Sequence, residues 1–72
     1  MKNQHWNMPR NRVATARRDA GIPQVTAWHQ LGLTSIDLLV EYEKGTEDIP
    51  EEVYKKMSRL YKHSVIWLKG EI

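Results

Sequence analysis

Apolar residues recur at helical spacing along most of the chain. Spacings of three and four residues place side chains on one face of a helix, whereas the side chains of a strand alternate with a period of two. No segment alternates over enough residues to predict a strand. We therefore expect an all-α fold, a compact five-helix domain of residues 9–72 that follows a flexible tail of residues 1–8. The first three helices are predicted at residues 9–20, 23–31 and 35–44, the fourth begins at Pro50, and the fifth follows Ser64.

The first two helices are short, and each has one apolar stripe. A proline opens both of them, Pro9 and Pro23, at the position where a helix has no use for a backbone N–H. Their predicted core residues are Val13, Ala16 and Ala20 in the first helix, and Val25, Trp28 and Leu31 in the second.

A glycine turn joins the second helix to the third. Gly32 supplies the left-handed conformation that ends the second helix. Thr34 is the predicted N-cap of the third helix, and Asp37, three residues later, completes an acidic version of the capping box. Gly45 then ends the third helix. Two helices joined by a short turn that contains glycine predict a helix-turn-helix.

The last two helices complete the predicted core. Ser64 is the expected cap of the fifth helix, which returns Trp67 and Leu68 to the core and ends at Gly70. The fourth helix has an apolar stripe of Val53, Tyr54, Met57, Leu60 and Tyr61, and a basic opposite side of Lys55, Lys56, Arg59 and Lys62.

The outward side of the third helix is unusual for a DNA-reading element. Leu38, Leu39 and Tyr42 form its predicted core side. Helices that read the major groove use arginine, lysine, asparagine or glutamine side chains on bases and phosphates. The outward side instead has two carboxylates, two β-branched apolar residues and one lysine, which indicates a partner other than DNA. These residues are Ile36, Asp37, Val40, Glu41 and Lys44.

Charge is strongly segregated along the chain. The net charge is +2, but residues 1–20 sum to +4, residues 21–52 to −6 and residues 53–72 to +4. A basic isoelectric point is typical of proteins that bind nucleic acid. Here the helix-turn-helix, the segment that should meet DNA, lies in the acidic part.

Enzymatic and metal chemistry have no support in the residues. The chain has no cysteine, so neither disulfides nor Cys-based zinc sites are expected. His5, His29 and His63 lack the spacing of metal ligands. No glycine-rich phosphate loop, paired nucleophile and base, apolar leader or membrane-length apolar run is present. We expect a cytoplasmic, non-enzymatic protein without cofactor, metal or membrane attachment.

An ordered set of these residues resembles the helix-turn-helix transcription regulators of the Cro and phage-repressor type, the lambda-repressor-like or XRE group. The likeness covers about residues 10–71 and implies that family's fold. It also implies an ion pair between Arg17 of the first helix and Glu43 at the end of the third. The matching residues are Val13-x-x-Ala16-Arg17-x-x-x-Gly21, Gln24, Leu31-Gly32-Leu33-Thr34, Glu43-Lys44-Gly45, Pro50, Val53, Lys56-Met57, Leu60 and Trp67-Leu68-Lys69-Gly70-Glu71.

Two departures from the family pattern fall inside the helix-turn-helix. The family usually has a small alanine in its second helix, and counted from Gly32 that place holds Trp28. The span from the Leu31-Gly32 turn to Glu43 is one residue longer than usual. A bulky residue at a tight helix crossing and a shifted third helix both disfavour reading of DNA, while they spare the fold.

Together with the acidic third helix, this resemblance implies an antirepressor of the kind made by temperate phages in a bacterial host. Its partner is expected to be the basic helix-turn-helix domain of a cognate phage repressor, with weak or no specific DNA binding by the chain alone. One alternative is a Cro-like homodimer that binds operator DNA, with phosphate contacts near Arg10, Arg12 and Lys69; another is an antitoxin-type regulator. The expected partner-binding residues are Ile36, Asp37, Val40, Glu41, Gln24 and Lys44.

Overall fold

A computed structural model describes residues 11–72, and within that range the fold is all-α, as predicted. The five predicted helices are confirmed, with ends that differ by a few residues. The tail of residues 1–8, with Pro9 and Arg10, lies outside the described residues. The helices are α1 (Val13–Asp19), α2 (Gln24–Gln30), α3 (Ile36–Lys44), α4 (Glu51–Tyr61) and α5 (Val65–Lys69).

The core lies where all five helices meet. Helix α2 packs mainly on α3, and α1 packs on α3, α4 and α5, so α1 links the α2–α3 pair to the rest. Half-buried side chains, among them Trp28 and Trp67, surround the core. The buried apolar residues are Val13, Ala16, Ala27, Leu31, Leu39, Tyr42, Val53, Met57, Tyr61 and Leu68.

Glycines with a left-handed backbone end four of the helices in the same way. After α2, the Gly32 N–H bonds to the carbonyl of His29 and the Leu33 N–H to that of Trp28, which satisfies carbonyls that a helix end leaves free. Helix α4 differs, because it ends at Lys62, a lysine with a φ of 66°. Among residues 11–72, Lys62 is the one residue other than glycine with a positive φ.

Helix α1 begins later than the sequence predicts. Residues 11 and 12 were expected inside the helix, but the Arg12 N–H bonds to the carbonyl of Leu68 in α5, and the Val13 N–H bonds to the Asn11 side chain. The predicted core stripe is also wrong at its end. Ala20 is exposed, and Arg17 turns toward the core in its place.

The buried side of α2 is rotated relative to the prediction. Val25 was expected in the core, but it is 65% exposed. The inward positions are instead Gln24, Ala27, Trp28 and Leu31, at i, i+3, i+4 and i+7. The small residue on this side is thus Ala27, fully buried, while Trp28 lies half-buried beside it. A polar residue inside and a valine outside masked this pattern in the sequence.

The N-cap of α3 is Ser35, so the prediction of Thr34 is wrong. The Ser35 hydroxyl accepts a hydrogen bond from the Leu38 N–H at 3.3 Å, and its backbone is extended. Serine and threonine are both favourable N-cap residues. The turn after α2 needs one further extended residue, which moves the start of α3 to Ile36 and places Asp37 within its first turn.

Helices α4 and α5 form as predicted. The Ser64 hydroxyl caps α5 by accepting from the Trp67 N–H at 3.2 Å, and Leu68 is fully buried. Lys69 of α5 reaches back to Glu51 at the start of α4, with Nζ 2.7 Å from Oε1. In the part of the chain that the structure describes, no helix has the length and apolar character needed to cross a membrane.

Candidate interaction surface on helix α3

A buried polar network fixes α3 against α1 and α2. Arg17 Nε donates to Glu43 Oε2 at 2.7 Å and Nη2 donates to Oε1 at 3.3 Å, which is the side-by-side pairing that suits a guanidinium and a carboxylate. Arg17 Nη1 donates to the carbonyl of Ile22 at 2.8 Å. The Gln24 amide donates to Glu43 Oε1 at 2.9 Å. The network therefore joins the ends of three helices.

Tyr61 of α4 lies close to this network and is itself buried. Within residues 11–72 its hydroxyl has no hydrogen-bond partner. Burial raises the pKa of the Tyr61 hydroxyl, the nearby Glu43 carboxylate raises it further, and Arg17 lowers it. The phenol is thus held in its neutral form across the physiological range.

The buried residues of α3 determine which of its residues face outward. Leu39 and Tyr42 are buried with Glu43, and Leu38 is half-buried against the core. Of the residues predicted to bind a partner, Asp37 and Lys44 are exposed, and Ile36, Val40 and Glu41 are half-buried. Asp37, Glu41 and Lys44 therefore lie away from the buried side of α3, whereas Ile36 and Val40 lie at its edge, three or seven residues before the buried Leu39 and Glu43. We call these five, Ile36, Asp37, Val40, Glu41 and Lys44, the α3 face.

Gln24 stands apart from the other five. Its amide is engaged by Glu43, under the helix and not on its outward side. The sequence showed a polar residue in α2 but not which carboxylate it meets, because that depends on how α2 and α3 pack. We therefore exclude Gln24 from the α3 face.

A neighbouring threonine controls the direction of Glu41. The Thr46 hydroxyl donates to the Glu41 carboxylate and also lies 3.2 Å from the Glu41 carbonyl. These contacts join Glu41 to the loop after α3. Thr46 was not among the predicted residues, and its signal is only its place directly after Gly45.

The chemistry of the α3 face suits a basic protein surface. Ile36 and Val40 are one helical turn apart, as are Asp37 and Glu41, so apolar and acidic groups run side by side along the helix. Apolar side chains supply contact area in an interface, and flanking carboxylates pair with arginine or lysine. Glu47 and Asp48, in the loop that follows, are exposed carboxylates outside the α3 face.

An open cleft lies beside the C-terminal end of α3. Its volume is about 340 Å³, and its lining shares no residue with the predicted set. Burial raises the pKa of Tyr54 in this lining. The cleft is bounded by Asn11, Gly45, Glu47, Asp48, Ile49, Tyr54, Lys69 and Glu71.

The chain was compared with protein-family models, with curated proteins and with solved structures. None of the three comparisons found a match.

Proposed function

We propose that the protein is an antirepressor with a helix-turn-helix fold, in which α2 and α3 form the helix-turn-helix. Its α3 face binds the basic DNA-binding domain of a cognate phage repressor and thereby blocks operator binding. The observation that carries the proposal is the composition of the α3 face: an exposed Asp37 and a half-buried Glu41 beside half-buried Ile36 and Val40.

The same composition argues against operator reading by α3. Duplex DNA carries one negative charge for roughly every 1.7 Å of its axis. Asp37 and Glu41 would face that charge, and one lysine, Lys44 at the end of the helix, offsets only part of it. A repressor's DNA-binding surface has the opposite charge and fits these carboxylates.

The resemblance to Cro-like and phage-repressor proteins supports the same function. Within that group, the short chain and acidic third helix resemble the modulator-of-repression antirepressors of lactococcal temperate phages. Such a protein acts by occupying the arginines and lysines with which the repressor holds operator phosphates. Derepression then requires no enzymatic step and no cofactor.

Charge reversal on the α3 face tests the proposal. In the double variant Asp37→Lys/Glu41→Lys, each lysine meets a cation of the repressor, and close charge pairs couple by roughly 1.5–7 kcal/mol. We expect the variant to lose the repressor and to gain affinity for DNA in the same protein. The measurement is release of a fluorescent operator duplex from the cognate phage repressor, together with direct titration of the duplex.

A matched variant distinguishes an effect of where the charges lie from an effect of the total charge of the protein. Glu47→Lys/Asp48→Lys makes the same change of charge in the loop after α3, and we expect it to retain most of the repressor binding. Circular dichroism establishes that both variants are folded. A folded Asp37→Lys/Glu41→Lys protein that still releases the operator refutes the proposal.

Truncation of the apolar groups gives a second measurement on the same surface. Ile36→Ala and Val40→Ala remove contact area without a change of charge. Each is expected to weaken repressor binding by about 1–2 kcal/mol, mainly through faster dissociation. The exposed Val25→Ala in α2 is the control and should leave binding unchanged.

A further inference from the structure

Helix α4 exposes a row of positive charges that the proposed function does not use. Three of its members, Lys55, Lys56 and Arg59, lie on the solvent side of the helix within about 100° of one another at 3.6 residues per turn, and the fourth, Lys62, directly follows the last turn. They extend over about 10 Å of the helix axis at a rise of 1.5 Å per residue. We call this row the cationic stripe; it consists of Lys55, Lys56, Arg59 and Lys62, all exposed.

The stripe has no ion-pair partner within residues 11–72. Glu52, four residues before Lys56, is exposed and forms no ion pair with it. Glu51 lies four residues before Lys55 and is a natural helical partner for it. Its carboxylate pairs with Lys69 of α5 instead, which leaves Lys55 available.

The stripe also lies beside the α2–α3 pair. A side-chain carbon placed on Gly32, in the turn that joins those helices, would lie 3.8 Å from Lys56 Nζ. The positive charge of α4 therefore extends to the edge of the turn, whereas the carboxylates lie along α3 beyond it.

The chemistry of the stripe identifies its ligand. The apolar residues of α4 face the core: Val53, Met57 and Tyr61 are buried, and Tyr54 and Leu60 are half-buried against it, so the exposed side offers charge with little apolar contact area. Protein interfaces rely on buried aromatic and apolar anchors, and membrane-binding amphipathic helices need a free apolar side. Neither is available here. A phosphate backbone, by contrast, is bound by cations alone through release of its counterions.

Single-stranded nucleic acid is also a poor fit. Proteins that bind single strands stack successive bases on aromatic side chains. The stripe contains no aromatic residue, and Tyr54 and Tyr61 of the same helix are half-buried and buried. We propose that the cationic stripe of α4 binds the phosphate backbone of duplex nucleic acid, without regard to base sequence. About six backbone charges of a duplex lie along 10 Å of its axis, enough for all four cations.

Salt titration of DNA binding tests the proposal. The probe is a fluorescent duplex of random sequence, titrated with the full chain at 50–200 mM NaCl. Four phosphate contacts give a slope of about −3.6 in log K against log salt, or about 150-fold weaker binding across this range. Each of Lys55→Gln and Arg59→Gln should reduce the slope by about 0.9. A random duplex bound with no dependence on salt overturns the proposal.

A second pair of variants separates the stripe from net charge. Lys55→Gln/Lys56→Gln/Arg59→Gln/Lys62→Asn takes the net charge from +2 to −2 and should abolish binding. Adding Glu47→Gln, Asp48→Asn and Glu71→Gln returns the net charge to +1 without restoring the stripe. Binding should stay lost in this second protein. Recovery of binding there shows that total charge is responsible and overturns the proposal.

Two further measurements address other ligands of the same charge. Tighter binding to vesicles of phosphatidylserine and phosphatidylcholine than to the duplex, at equal salt, overturns the proposal in favour of a lipid surface. Self-association that depends on the stripe, in a protein that does not bind the duplex, overturns it in favour of an acidic surface on a second copy. None of these measurements contains the repressor, so failure of this proposal can be distinguished from failure of the proposed function.

Discussion

Arg17 divides its hydrogen bonds between a carboxylate and a backbone carbonyl, and its charge lies almost wholly out of water. The side chains of Arg17 and Glu43 are 9% and 7% exposed. A buried charge is tolerated only when its partners satisfy it, and each partner of Arg17 belongs to a different segment of the chain. Loss of this one side chain therefore affects three contacts at once.

We predict that Arg17→Ala strongly destabilises the fold. Glu43 is left as a buried charge with only Gln24 to satisfy it, and breaking such a pair typically costs about 3–5 kcal/mol. Urea unfolding measures the effect. Arg18→Ala, at the exposed neighbouring position, is the matched control and should change stability by no more than about 0.5 kcal/mol. Equal midpoints for the two variants would show that the pair contributes nothing.

Removal of the Tyr61 hydroxyl, unlike removal of the Arg17 side chain, should not destabilise the fold at neutral pH. Tyr61→Phe removes a buried polar atom that has no partner within the described residues, so stability should stay equal or rise. The pKa of Tyr61 is raised in the folded state, so its contribution is complete below pH 10 and is lost as the pH rises above that value. Tyr61→Phe should therefore reduce the alkaline loss of stability.

The measurement for Tyr61→Phe is the thermal midpoint at pH 7 and at pH 10.5. A midpoint several degrees lower at pH 7 would mean that the hydroxyl has a partner in solution. This feature was beyond prediction from sequence. Tyr61 fell on the apolar stripe of α4 as expected, but whether a phenol finds an acceptor depends on side chains brought in by α1 and α3.

At the scale of the helices, the sequence located each element well and its ends less well. Gly32 and Gly45 marked the ends of α2 and α3, because few other residues adopt the left-handed backbone that both have. The start of α3 was harder to place. Thr34 and Ser35 are adjacent and chemically similar, and only the path of the turn decides which of them caps the helix.

Paired alanine substitutions test which residue caps α3. Ser35→Ala removes the acceptor for the Leu38 N–H and should cost about 1 kcal/mol, within the usual range of 0.5–2 kcal/mol for an N-cap. Thr34→Ala should have little effect, because Thr34 is exposed and precedes the cap. Both are measured by urea unfolding. A larger loss of stability in Thr34→Ala than in Ser35→Ala would show that Thr34, the residue expected from the sequence, is the N-cap.

Across the whole molecule, charge follows the helices. The acidic middle of the chain becomes the α3 face with the loop that follows it, and much of the basic C-terminal part becomes the stripe of α4. Composition and helical periodicity are enough to predict that separation. They cannot predict which charges stay unpaired. Glu51 pairs with Lys69, and this follows from the return of α5 onto α4.

Lys62, one of the four cations of the stripe, has a backbone conformation that is unfavourable for lysine. It holds a φ of 66° at the end of α4, a conformation that all four glycines of the chain adopt with less strain. Lys62→Gly should therefore raise the free energy of unfolding by about 1 kcal/mol while it removes one of the phosphate contacts proposed for the stripe. Lys55→Gly removes the same charge from the helix interior and should lower stability by about 1 kcal/mol. Urea unfolding and the salt slope of duplex binding together check both variants. At position 62, glycine favours the stability of the fold and lysine favours the proposed binding of nucleic acid. Selection for stability alone would therefore replace the lysine and weaken that binding.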